Sequence, residues 1–148
     1  MNNRLVKFTK KLLDVMFYVG IALTAAIPVL FHYIGFYITA FRTYYAAQCV
    51  VYILSGILCI KIVKELRKMF ITVLEEDPFV ESNADSLKIM GKCAFVTALL
   101  SLIRFPMSPT PSTVVIIIVF SIAGLFSIVL CQVFEKAIQY KRENDLTI

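Results

Sequence analysis

The sequence predicts an all-α membrane protein, with four transmembrane helices arranged as two hairpins and helix extensions reaching into the cytoplasm. Three observations carry this. Apolar residues make up 59% of the 148 positions, with a mean hydropathy of +0.82, far above the composition of a soluble domain. Charge is absent from long runs, between Asp14 and Arg42 and again between Arg104 and Glu135. The remaining polar residues concentrate in one stretch, Glu75 to Lys92, which divides the chain into two apolar halves.

Arg4, Lys7, Lys10 and Lys11 precede the first span, and the uncharged interval after Asp14 is 27 residues long. A signal-peptide core is only about 7–15 residues, so this run reads as an uncleaved span from about Leu12 to Tyr33. Asp14, close to Lys10 and Lys11, reads as an interfacial ion pair. Pro28 frees the carbonyl of Thr24, which a slight kink or a local side chain can satisfy. Phe31, Tyr33, Phe36, Tyr37, Phe41, Tyr44 and Tyr45 follow as an aromatic belt of the kind that favours the headgroup level. His32 within it is either an interfacial histidine or a pH sensor or ligand contact on the outer face.

The second span runs from about Tyr44 to Val63 and continues. From Lys61 to Leu74 apolar residues recur at helical spacing with Lys61, Lys64, Glu65, Arg67 and Lys68 mostly opposite, so an amphipathic helix leaves the membrane. It is either a juxtamembrane helix or a docking surface for another protein. Asp77-Pro78 ends the helix. Ser82-Asn83-Ala84-Asp85 then has the form of a capping box and predicts the next helix start. The third span has only 11 uncharged residues, Cys93 to Ile103, about 16 Å of helix against a core of about 30 Å. Snorkelling of Lys88, Lys92 and Arg104 toward the two surfaces extends it to about Leu87 through Phe105. Pro106, Pro109 and Pro111 make a stiff turn. The last span, about Val114 to Phe134, continues through Glu135 to Arg142. A single membrane domain therefore covers 1–148, with a cytoplasmic linker over 64–86.

Charge sets the threading. Lys and Arg number four before the first span, one after it, six in the middle, one in the third gap and three at the end. That alternation places both termini and the linker on the cytoplasmic side of the membrane. The two halves share a Leu-Cys pair before a charged extension, Leu58-Cys59 and Leu130-Cys131, which is either a parallel hairpin repeat or coincidence in an apolar chain.

Chemistry-bearing patterns are missing. No HExxH, GxSxG, GxGxxG, phosphate-loop or CxxC motif occurs, and Cys49, Cys59, Cys93 and Cys131 each stand alone in an apolar run. No carboxylate lies near a span centre, where a transporter or proton relay would usually place one. No catalytic, cofactor or metal site is expected, and the chain is not expected to be an enzyme. The 15 basic residues are divided among membrane-flanking segments, so the expected partner is anionic lipid of the bilayer, with no direct binding of nucleic acid. Small residues such as Gly20, Gly56, Ala94, Ala98, Gly124 and Ser127 suit close helix contacts, and a homo-oligomer is left open. Phe79 and Val80, apolar between Asp77 and Glu81, either tuck against the bundle or meet a partner. With Arg67 and Lys68 on the amphipathic extension they are the candidate partner-binding residues.

Asp77-Pro78-Phe79-Val80, then Asn83 and Leu87-Lys88-Ile89, and the ending from Val133-Phe134-Glu135-Lys136 through Glu143-Asn144-Asp145-Leu146-Thr147-Ile148, together resemble a bacterial family of small four-span membrane proteins of unknown function, the YoaS-like type. The resemblance covers nearly the whole chain. It implies a cytoplasmic-membrane location and a neighbouring helix-turn-helix regulator of the Cro/C1 class as partner; it implies no catalytic residues. Two functional expectations follow. One is an interaction or regulatory protein that holds a cytoplasmic partner through the linker and helix extensions. The alternative is a small transport, immunity or envelope-protection protein that works through its aromatic outer surface and Pro-rich turn.

Overall fold

The computed structural model describes residues 2–147, so Met1 and Ile148, the last residue of the predicted tail motif, lie outside it. Five α-helices follow one another: α1 Asn3–Ile34, α2 Thr39–Thr43, α3 Tyr45–Leu74, α4 Glu81–Arg104 and α5 Pro111–Leu146, with a 3₁₀ turn at Phe105–Met107 before the last. Among the described residues there is no strand. Helices α1, α3, α4 and α5 are each long and apolar enough to cross a membrane, which makes this a multi-pass membrane protein of four spans. At 1.5 Å per residue the 32 residues of α1 reach about 48 Å and the 36 of α5 about 54 Å, beyond the roughly 30 Å of a hydrocarbon core.

The helices pack in chain order, α1 on α3, α3 on α4 and α4 on α5. Two ends result. The linker end carries the start of α1, the connection from α3 to α4 and the close of α5; the turn end carries Gly35–Tyr44 and Phe105–Thr110. Helix α4 is the least apolar of the four spans and the most enclosed: 12 of its 24 residues are buried, against two in α1, three in α3 and four in α5. Its buried side is made of small and polar residues, Ala84, Ser86, Gly91, Ala94, Thr97, Ala98 and Ser101 among them. Lipid is as apolar as leucine, so helices in a membrane gain little by hiding leucine and more by close backbone approach and shared hydrogen bonds. A weak hydropathy signal is what a central span requires.

The expected linker is mostly helical, as its amphipathic first part predicts. Helix α3 continues to Leu74 and α4 begins at Glu81, leaving 75–80 as the non-helical part of the expected 64–86. Helix α3 ends in a Schellman arrangement, with Glu76 N–H to Val73 O at 3.2 Å and Asp77 N–H to Thr72 O at 3.1 Å. Glu76 holds the left-handed conformation there (φ 61°), a place usually taken by glycine, and Pro78 follows. The predicted capping box does not form. Val80 is the N-cap of α4, without a side-chain hydrogen bond, and Ser82 and Asp85 lie inside the helix. Asn83 instead turns its amide nitrogen to Pro78 O at 2.7 Å and Thr72 Oγ1 at 2.6 Å, bracing the linker across its own chord.

The aromatic belt is divided. Tyr33, Phe36 and Tyr37 are exposed, whereas Phe31 is buried in an edge-to-face cluster with Phe41 and Tyr52, ring centroids 4.8 Å away in each case. Arg104, expected to snorkel, is buried instead, because Tyr52 of α3 and Thr113 of α5 close over it.

Candidate functional site

Polar chemistry gathers at both ends of the bundle. At the linker end, Asp14 of α1 accepts from Arg67 Nε at 2.6 Å and lies 3.6 Å from Lys10 Nζ, so the expected local pair is joined by a residue from α3. The Arg67 guanidinium also stands 4.5 Å from the Phe17 ring centre, a cation–π contact. On another face of α3, Glu65 is buried between Lys68 Nζ at 3.1 Å and Ser86 Oγ of α4 at 2.8 Å. Glu65 lies beyond Lys61 and Lys64, past the uncharged run of its span. Burial pushes its carboxyl up, but the hydrogen bonds from Ser86 and Lys68 outweigh burial and hold it below the ordinary glutamate value.

The linker itself is held by α5. Lys141 Nζ meets Asp77 Oδ1 at 2.7 Å, Arg142 pairs with Glu81, and the Phe79 ring packs edge-on against Phe134 with centroids 5.3 Å apart. Phe79 nevertheless keeps 42% of its surface exposed. Beside it Val80, Ile138, Lys141, Arg142 and Asp145 line a shallow groove of about 250 Å³.

The four candidate partner-binding residues therefore occupy three places. Phe79 and Val80 share the groove on α5, Lys68 faces Ser86 and Asp85 in a cleft between α3 and α4, and Arg67 is turned toward α1. Spacing on one amphipathic helix put Arg67 and Lys68 together in the sequence, but adjacent helical positions point about 100° apart and reach different neighbours. Phe134, Lys141 and Arg142 escaped the sequence reading as linker-holding residues, since each lies more than 50 positions from its partner.

The turn end holds a different constellation. Arg104, 4% exposed, donates from Nη1 to Tyr52 Oη at 2.6 Å and from Nη2 to Thr113 Oγ1 at 2.9 Å, with the Tyr52 ring centre 4.5 Å away. Thr113 is fixed in turn by Thr110, the N-cap of α5, whose hydroxyl accepts from Thr113 N–H. Proline at the first position of α5 gives up no hydrogen bond there. One helical turn before Tyr52, Gln48 is fully buried, and neither atom of its amide has a hydrogen-bond partner. A crevice of about 330 Å³ runs from Arg104 between all four spans. His32, near the same end, packs edge-on to Phe36 at 5.4 Å.

Among the described residues the four cysteines are free thiols, and no three His, Cys, Asp or Glu side chains gather as a metal site. No curated protein and no solved structure matches the chain. A family match covers residues 29–148, from the close of α1 through all the later helices, and so takes in Arg104 with its partners and the linker with α5, but not Asp14 or Phe17. The chain belongs to the family described as protein of unknown function (DUF2975).

Proposed function

We propose that this chain is a non-enzymatic protein of the bacterial cytoplasmic membrane that holds or modulates a cytoplasmic protein at its linker end, with both termini in the cytoplasm. The observation that carries the reading is the projection of α5. Its uncharged run ends at Phe134, yet the helix continues to Leu146, and half-exposed Phe79 with Val80 and Ile138 forms an apolar groove on this projecting part. Apolar side chains held outside the lipid and rimmed by Lys141, Arg142 and Asp145 have the composition of a small docking surface. The distribution of Lys and Arg supports a cytoplasmic linker end. The resemblance of the Pro-Phe-Val and Asn-Asp-Leu-Thr segments supports a helix-turn-helix regulator as the partner.

The test is co-purification from native membranes with and without Phe79→Ala combined with Val80→Ala. The double variant leaves all four spans untouched, so membrane insertion is expected to stay intact. Capture of a small DNA-binding protein is expected to weaken by about 2 kcal/mol or more for each residue that acts as an anchor. If the variant inserts and keeps its partner at wild-type affinity, the linker is only a tether, and a role centred on the turn end replaces this one.

A further inference from the structure

Arg104 carries a buried positive charge that the chain itself does not neutralise. No Asp or Glu occurs between Asp14 and Glu65 or between Asp85 and Glu135, the two intervals that contain the whole turn end. Every ion pair among the described residues lies at the linker end. Buried charges in proteins are paired, and an ionisable side chain within a span marks function by default. Tyr52 and Thr113 give Arg104 two neutral oxygens and a ring face, which orient the guanidinium without supplying a counter-charge. Arginine has five N–H donors in a planar fork, so donors remain for an oxyanion. Gln48, one turn along α3 from Tyr52, is a second buried polar group at this end for which the chain provides no partner.

The crevice that starts at Arg104 defines the rest of the ligand. Its walls include Leu23 and Ile27 of α1, Val51 of α3 and Ile116 and Phe120 of α5, with Ser101 next to Arg104 on α4. Its volume, about 330 Å³, is at the lower end of ligand pockets, roughly 300–1,000 Å³. An oxyanion site at the end of a span, continuing into an apolar slot between spans, matches an amphiphile and not a free ion. We propose that the turn end binds an anionic lipid, its phosphate on Arg104 and one acyl chain in the crevice.

The test is native mass spectrometry of the full chain, freed from detergent after equilibration with phosphatidylglycerol or with phosphatidylcholine. The wild-type chain is expected to retain phosphatidylglycerol roughly tenfold better, the scale of a charge-assisted hydrogen-bonded pair. Arg104→Gln is expected to reduce retention to the phosphatidylcholine level, and Arg104→Lys to keep part of it. Ile27→Trp fills the crevice without touching Arg104 and is expected to lose the lipid as well, so the decision does not hang on one variant that could fail to fold. Equal retention of the two lipids by the wild-type chain, or a phosphatidylglycerol preference that survives Ile27→Trp or a folded Arg104→Gln, overturns the proposal. Inorganic phosphate added to the delipidated chain at constant ionic strength is expected to raise its melting temperature less than phosphatidylglycerol does. An equal rise assigns the site to a free anion and overturns the lipid.

Discussion

Ser86 and Lys68 hold the Glu65 carboxyl below its ordinary range against the effect of burial, and removing one of them should show in stability. Ser86→Ala removes one of the two donors to Oε2 of a buried carboxylate and leaves it Lys68 alone at 3.2 Å, a loss of about 1–3 kcal/mol at pH 7. The sign of the pH effect follows from the lowered carboxyl. Its contribution is present above the ordinary glutamate value of about 4.3 and is lost as pH falls through the folded value. Without Ser86 that loss begins at higher pH. Unfolding of the wild-type and Ser86→Ala chains in detergent at pH 7 and near pH 4 checks both points, and equal stability at pH 7 contradicts the contact. Little of this was legible residue by residue. Asn83 could be read as belonging to a helix start, but its bond to Thr72, 11 positions back, depends on the Schellman turn that brings α3 and α4 together.

Helix pairs here are set by a few absent side chains. On α4 and α5, a Cβ at Gly91 would come 3.2 Å from the Gly124 carbonyl oxygen and 2.9 Å from Ile128 Cγ1, and one at Gly124 would meet the Phe95 ring at 3.1 Å. On α1 and α3, a Cβ at Gly56 would fall 2.5 Å from Thr24 Oγ1. Gly91→Leu should therefore separate α4 from α5 and cost about 1–3 kcal/mol, the usual penalty of overpacking. Thermal unfolding in detergent reads the loss; an unchanged melting temperature would show that the hairpin does not depend on this approach. The sequence singled out Gly56 and Gly124 as small residues suited to such contacts but not Gly91, which stands between charged Lys88 and Lys92 and so looks like part of the polar segment. Helix lengths were easier to read: the extension of α3 to Leu74 follows from its apolar spacing, and the continuation of α5 past Phe134, expected to Arg142, reaches Leu146.

At the scale of the molecule, a central span of small and polar residues is shielded on two sides by strongly apolar ones. Threading is the property that the charges predict and the labelling of single cysteines can measure. In a cysteine-free background, probes at Tyr37 and Pro109, both exposed at the turn end, should react with an impermeant reagent from outside. Probes at Ser82 and Asn144, exposed at the linker end, should be protected. External labelling at Asn144 would reverse the threading and remove the cytoplasmic docking surface proposed for α5.

By itself the sequence determined the number of spans, the helix end at Asp77-Pro78 and the Pro-rich turn, because hydropathy, proline and charge act over one or two helical turns and need no distant partner. Tertiary structure alone decided that the weakest span is central, that Arg67 serves Asp14 from 53 positions away, and that Arg104 is enclosed by Tyr52 and Thr113. A basic residue at the end of a span reads the same whether it reaches for water or turns inward. Which it does depends on the helices beside it, and their order across the membrane is written in contacts between residues far apart in the chain.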